Sequence, residues 1–138
     1  MALVFIDTSA FLAIKNSRDT YHKEAITTKN VLLSRGEPLI TSDYVLDESY
    51  TIIRFRAGHR IAIEFGEEVR QSRLIEVIPV GPKFIEDAWS FFKKHKDKDY
   101  SFTDCTSFVI MKQMKIHRAF TFDPHFSHAG FDIVGPRT

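Results

Sequence analysis

The chain has 138 residues, and 19 Lys and Arg against 18 Asp and Glu give a formal net charge of +1. Length therefore allows one domain, and any surface for a polyanion has to be local, because global charge supplies none. With 43% apolar and 27% charged residues and a single cysteine, intrinsic disorder, a disulfide framework and a Cys-rich zinc centre are all excluded.

Residues 3–6 form a short, wholly apolar run, as expected of a strand buried on both faces of a parallel sheet. Asp7 cuts it short and no basic segment precedes it, so it reads as a first strand and not as a signal peptide. A short helix is expected over 9–16 and a longer one over 22–35, stopped by Gly36. A brief second strand covers 39–41, and Ser42 opens a helix to 57, stopped by Gly58. A further helix spans 60–72. Residues 75–80 read as a strand, and Pro79 assigns it to an edge or a strand end. Pro82 opens a helix to 95, followed by a charged loop over 96–100. Helix 103–115, strand 119–122 and a last short strand at 131–134 complete the chain. No apolar run approaches the ~18 residues of a membrane span, and a soluble cytoplasmic domain is expected. The alternation of strands and helices predicts an α/β fold over 1–138: one parallel sheet flanked by helices in three layers. The 13 Phe point to an aromatic core, with Phe11, Phe126 and the lone Cys105 packed inside it.

In such sheets ligands bind beyond the carboxyl ends of the strands. Asp7 and Asp123 each follow a predicted strand there. Each also suits a helix N-cap, and Pro124 after Asp123 fits the first helical position. Glu48 falls on the inner arc that Val45, Ser49, Ile52, Ile53 and Phe55 trace at helical spacing, whereas Asp47 falls outside it with Thr51 and Arg54. Asp104 opens the helix 103–115 in a capping-box pattern, Ser101-Phe102-Thr103-Asp104. Taken together, four acids reach one rim of one sheet. Converging carboxylates raise one another's pKa unless a cation sits among them. Oxygen-rich sites of this kind suit Mg²⁺ or Mn²⁺, and two such ions ~3.5–4 Å apart can activate a water against a phosphodiester. The six histidines form no metal-ligand pattern; His125 and His128 fall in a predicted loop and read as surface residues.

The runs Phe5-Ile6-Asp7-Thr8-Ser9-Ala10-Phe11, Val45-Leu46-Asp47-Glu48, Ser101-Phe102-Thr103-Asp104-Cys105 and Thr121-Phe122-Asp123-Pro124-His125-Phe126, in this order, resemble the PIN domain, a family of small metal-dependent ribonucleases. The likeness runs from about residue 3 to residue 135. It implies that Asp7, Glu48, Asp104 and Asp123 are the catalytic and metal-binding quartet, supported by Ser9, Thr103 and Thr121, with Asp97 or Asp99 as a further acid. It implies Mg²⁺ or Mn²⁺ as cofactor and hydrolysis of RNA without a covalent enzyme intermediate. In size the chain is similar to the toxins of VapBC-type toxin–antitoxin pairs, which implies an antitoxin partner and a homodimer.

An acidic pocket needs cations beside it to accept RNA. Arg54, Arg56 and Arg60, with His59, gather around Gly58, and Lys93, Lys94, Lys96 and Lys98 form a second group. Solvated helix ends explain both groups as well. A non-catalytic PIN-like module that binds RNA or protein is the alternative function. A phosphoacceptor receiver domain is disfavoured because Asp7 stands alone after the first strand and residues 75–80 end in Gly81-Pro82. A phosphatase of the Asp-x-Asp type would need an acid where Ser9 stands.

Overall fold

Wholly apolar strands can be satisfied only where helices cover both faces of the sheet, and the N-terminal run takes that central place. The computed structural model describes residues 2–137. Five strands, β1 (Val4–Ile6), β2 (Leu39–Ser42), β3 (Ile75–Ile78), β4 (Arg118–Phe120) and β5 (Asp132–Ile133), form one sheet in the order β3-β2-β1-β4-β5. Every pairing is parallel, with Phe5 opposite Ile40 on one side and Ala119 on the other. β3 is an edge strand, as Pro79 requires.

The helices are α1 (Thr8–Lys15), α2 (His22–Ser34), α3 (Asp43–Ala57), α4 (His59–Gln71), α5 (Pro82–Lys94), α6 (Phe102–Gln113) and α7 (Pro124–His128). From β1 the chain steps to β2 and β3 on one side, then returns across the sheet to β4 and β5 on the other. Right-handed crossovers turn that reversal into two helical layers, α1–α4 on one face and α5–α7 on the other. Ile6, Leu39 and Phe120 accordingly meet side chains of α1, α2 and α4. On the opposite face the Phe5 ring lies 6.4 Å from that of Phe126, which packs edge-on against Phe108 at 4.9 Å. Phe11, Phe126 and Cys105 are buried, as expected. Among the described residues no helix is long and apolar enough to cross a membrane.

Three local expectations need correction. β4 ends at Phe120, so Thr121 and Phe122 separate Asp123 from the strand. The region after Asp123 is no loop: Asp123 caps α7 through the His125 N–H at 2.9 Å, and Pro124 occupies the first turn. Phe55 does not face inward; it is 79% exposed, and the buried face of α3 is formed by Val45, Leu46, Ser49 and Ile53.

Candidate active site

The strand order reverses between β1 and β4, so the loops after these two strands diverge and leave a crevice. Asp7 closes β1 and caps α1. Its backbone N–H donates to the Phe120 carbonyl at 3.2 Å, and its side chain is 4% exposed. Thr121 Oγ1 donates to Asp7 Oδ2 at 3.1 Å and accepts from the Asp123 N–H at 3.0 Å. Ser9 Oγ lies 3.2 Å from Asp7 Oδ2 and 3.0 Å from Thr121 Oγ1, and accepts from the Phe122 N–H at 2.9 Å. Two hydroxyls thus lock the turn after β1 to the turn after β4, and with them Asp7 to Asp123.

Glu48 arrives by a different device. Its neighbour Ser49 is buried and donates to Thr8 Oγ1 at 3.3 Å, and Thr8 Oγ1 donates in turn to the Val45 carbonyl at 3.4 Å. These bonds fasten α3 to α1 one residue away from each acid. Glu48 is exposed, contrary to the inward orientation expected from the helical arc, yet it lines the same cleft as Asp7. A carboxylate there reaches the site from its rim and avoids the cost of full burial.

Asp104 holds both halves of a capping box, accepting from the Ser101 N–H at 3.1 Å while its own N–H donates to Ser101 Oγ at 3.0 Å. Capping and placement in the site are one arrangement here, since the box pins the carboxylate at the N-terminus of α6 beside the sheet. The cleft, about 370 Å³, is lined by Asp7, Glu48, Asp104, Asp123, Asp99 and His125 together with Thr8, Ser9 and Ser101. Asp99 lines it and Asp97 does not. Thr103 is half-buried and also stands outside the lining; its carbonyl accepts from Thr106 Oγ1 at 2.6 Å.

His125, read from the sequence as a surface residue, lines the cleft and is the candidate site residue that sequence reasoning misses. Its Nδ1 lies 3.2 Å from Asp104 Oδ2 and 3.3 Å from Asp123 Oδ1, and its ring stands edge-on to buried Tyr100 at 5.3 Å. A metal-ligand spacing search over the sequence alone could not find it, because its partner Asp104 is 21 residues away. The signal available was Asp123-Pro124: a capped helix starting there turns residue 125 back toward the cap. His128 remains exposed.

The electrostatics follow from burial. Loss of solvent raises the Asp7 carboxyl to about 7; the charges of Asp104 and Asp123 add to that shift, while hydrogen bonds from Thr8 and Thr121 oppose it. Burial likewise raises Asp104, with Asp123 adding to the shift and Ser101 and His125 opposing it. Buried Cys105, also raised by the Asp104 charge, goes up to about 11 and remains a thiol. Asp104, Asp123 and His125 offer three ligand atoms within 4.8 Å of one another. Two carboxylates and an imidazole are ligands that a divalent cation accepts, so the chemistry of the set fits one.

Arg54, Arg56 and Arg60 do not line this cleft. They surround the junction of α3 and α4, where Arg60 pairs with Glu64 at 3.2 Å and the Arg56 carbonyl accepts from Arg18 at 2.9 Å.

A parallel sheet with acids gathered at its switch point defines a class, and residues 4–132 match the family model of the PIN domain. The chain belongs to the PIN domain family. It is 37% identical over 134 residues to the 23S rRNA-specific endonuclease VapC20 of Mycobacterium tuberculosis, a match that covers 97% of this chain and 99% of that protein. The crystal structure of M. tuberculosis VapC20, described as a sarcin–ricin loop cleaving toxin, is similar with a TM-score of 0.87 and 36% identity, covering 96% of this chain and 99% of that one. FitAcB from Neisseria gonorrhoeae, at 17% identity and a TM-score of 0.65 over 97% of this chain and 98% of that one, shares the fold.

Proposed function

We propose that this protein is a Mg²⁺- or Mn²⁺-dependent endoribonuclease, the toxin of a toxin–antitoxin pair, and that its target is the sarcin–ricin loop of 23S rRNA. The observation that supports this reading best is the convergence of Asp7, Asp104, Asp123 and His125 in one cleft of a chain that aligns end to end with an rRNA endonuclease. An antitoxin that blocks the cleft, a homodimeric assembly and action in the cytoplasm, where ribosomes are, belong to the same reading.

Asp104, Asp123 and His125 would hold the cation, with Asp7 completing its charge balance. Such an ion, when bound, acidifies a water and offsets the charge that builds on the scissile phosphate. The chain's own residues do the rest. Thr121 and Ser9 occupy Asp7 Oδ2, which fixes the carboxylate's rotation and leaves Oδ1 to act in the cleft. Ser101 restrains Asp104 through two hydrogen bonds. Glu48, exposed on the same cleft, would orient the attacking water or hold a second ion. Asp99 adds a fifth acid at the rim.

The test is to incubate the purified, antitoxin-free protein with ribosomes and with deproteinised RNA in Mg²⁺ or Mn²⁺. Cleavage is expected at one 23S position and is abolished by EDTA. Asp104→Asn is expected to lower the rate at least ~100-fold. Equal cleavage by wild type and variant would overturn the site assignment. RNA binding without cleavage, in a folded and metal-loaded protein, would establish a non-catalytic module instead.

A further inference from the structure

We propose that Phe55 is a stacking platform for an unpaired RNA base, with Arg54 and Arg56 holding the phosphates on either side of it. The proposal rests on the ribonuclease reading and adds a binding site outside the acidic cleft. Among the described residues Phe55 is the most exposed of the large apolar side chains, at 79%. Isolated apolar residues on a surface need no explanation, but this one has an address. Glu48, Ile52 and Phe55 stand at i, i+4 and i+7 of α3 and so share one row. The first two line the cleft, and Phe55 continues their line, ~10 Å along the helix axis from Glu48 and ~4.5 Å from Ile52. The span from Glu48 is about three stacked nucleotides at ~3.4 Å each.

The charge around it is of the sign that the cleft lacks. Arg54 and Arg56 are exposed and flank Phe55 in sequence, turned ~100° to either side of it. Arg18, from the loop after α1, donates to the Arg56 carbonyl at 2.9 Å and brings a third guanidinium to the same helix end. A polyanion entering a pocket of five acids is repelled unless cations hold its flanks, and these arginines are the cations nearest in sequence to the cleft-lining row of α3. An aromatic face among guanidinium groups takes a nucleobase and its phosphates together, since stacking accepts any base and the cations track the backbone.

The experiment uses the full chain carrying Asp104→Asn, so that RNA is bound and not cut. The probe is an unstructured RNA of about 12 nucleotides with 2-aminopurine placed at successive positions. Binding is followed by anisotropy and stacking by fluorescence quenching. Phe55→Ala is expected to weaken binding ~5- to 100-fold and to abolish the quenching at one position, whereas Phe55→Trp keeps both within about threefold. Arg54→Ala and Arg56→Ala are each expected to reduce the salt slope by about 0.7, the single-strand value per phosphate contact, which Phe55→Ala leaves unchanged. Unaltered thermal melting of Phe55→Ala excludes misfolding as the cause. Wild-type affinity and quenching in Phe55→Ala, alongside intact cleavage by the Asp104-containing enzyme, would overturn the platform and leave the ribonuclease reading standing. So would a Phe55→Ala protein that light scattering shows has changed from dimer to monomer, which would assign the ring to a protein interface. Failure of the Asp104-containing protein to cleave any RNA would overturn both.

Discussion

Replacing Asp7 by Asn should make the metal-free protein more stable while destroying its site. The wild-type carboxyl is raised from 3.8 to about 7 by burial and by Asp104 and Asp123. A raised carboxyl means that the folded state keeps a proton that the unfolded chain releases. Stability therefore falls as pH rises from about 4 through about 7, and levels off above about 8. Roughly three pKa units at ~1.36 kcal/mol each set a ceiling of ~4 kcal/mol on the destabilisation. Rearrangement of the neighbouring acids and water entry reduce it to ~2 kcal/mol. Asn accepts the same N-terminal hydrogen bonds as Asp but gives up ~0.3–1 kcal/mol of charge interaction with α1. The net gain is ~1–2 kcal/mol, or about 3–6 °C in Tm for a chain of this size. Calorimetric melts in EDTA at pH 5 and pH 8 measure it. The variant should exceed wild type at pH 8, and the gap should shrink toward acid and close near pH ~4. Adding Mn²⁺ should reverse the order, since an ion at ~100 times its Kd stabilises the protein that binds it by ~2.7 kcal/mol. An Asp7→Asn protein that melts below wild type in EDTA at pH 8 would refute this reasoning, as would wild-type stability that does not fall between pH 5 and pH 8.

Other consequences follow from the same geometry. Metal affinity should rise about tenfold between pH 6 and pH 8, because Asp7 near pH 7 must lose its proton as the ion enters; isothermal titration at the two pH values measures this, and equal affinities would contradict it. In Mn²⁺-loaded protein, electron spin-echo spectra should show nitrogen coupling from His125 that vanishes in His125→Asn, along with at least ~10-fold of the affinity; a spectrum without nitrogen coupling would show that the imidazole only braces the acids. Ser9→Ala removes the acceptor of the part-buried Phe122 N–H and should cost about 1 kcal/mol in urea melts. Phe108→Ala, at the meeting of the Tyr100, Phe126 and Phe131 rings, should cost ~3–5 kcal/mol.

Most of the sheet was legible because its signals are local. Apolar runs bounded by Asp7, Gly36, Gly58 and Pro82 identify strands and helices within a few residues, and strand–helix alternation then leaves little choice of topology. Asp7, Asp104 and Asp123 were legible as a set because each also obeys a capping rule that fixes its backbone. The misreadings concern direction. Phe55 was placed inward because an apolar residue on a helical arc usually is, but the arc of α3 is only four residues wide and ends with Ile53. Glu48 reads as inward because it falls between Phe55 and Ile52 on that arc, and with Phe55 outward it stands at the rim instead. His125 was placed outward because the five-residue helix that carries it has no periodicity to read. What turns it toward Asp104 is the cap at Asp123, a tertiary consequence of the crosslink between Thr121 and Asp7.

That crosslink also orders events in time. Thr121 and Asp7 are 114 residues apart, and β4 is the strand that seats beside β1 and completes the cleft. A chain still being made by a ribosome already carries Asp7, Ser9, Glu48 and Asp104, but until β4 emerges Asp7 lacks the Thr121 hydroxyl and the fourth acid, Asp123. The cleft that the acids line is therefore complete only once β4 has paired with β1. A fold with the same residues and its last acid on an early strand would offer no such delay.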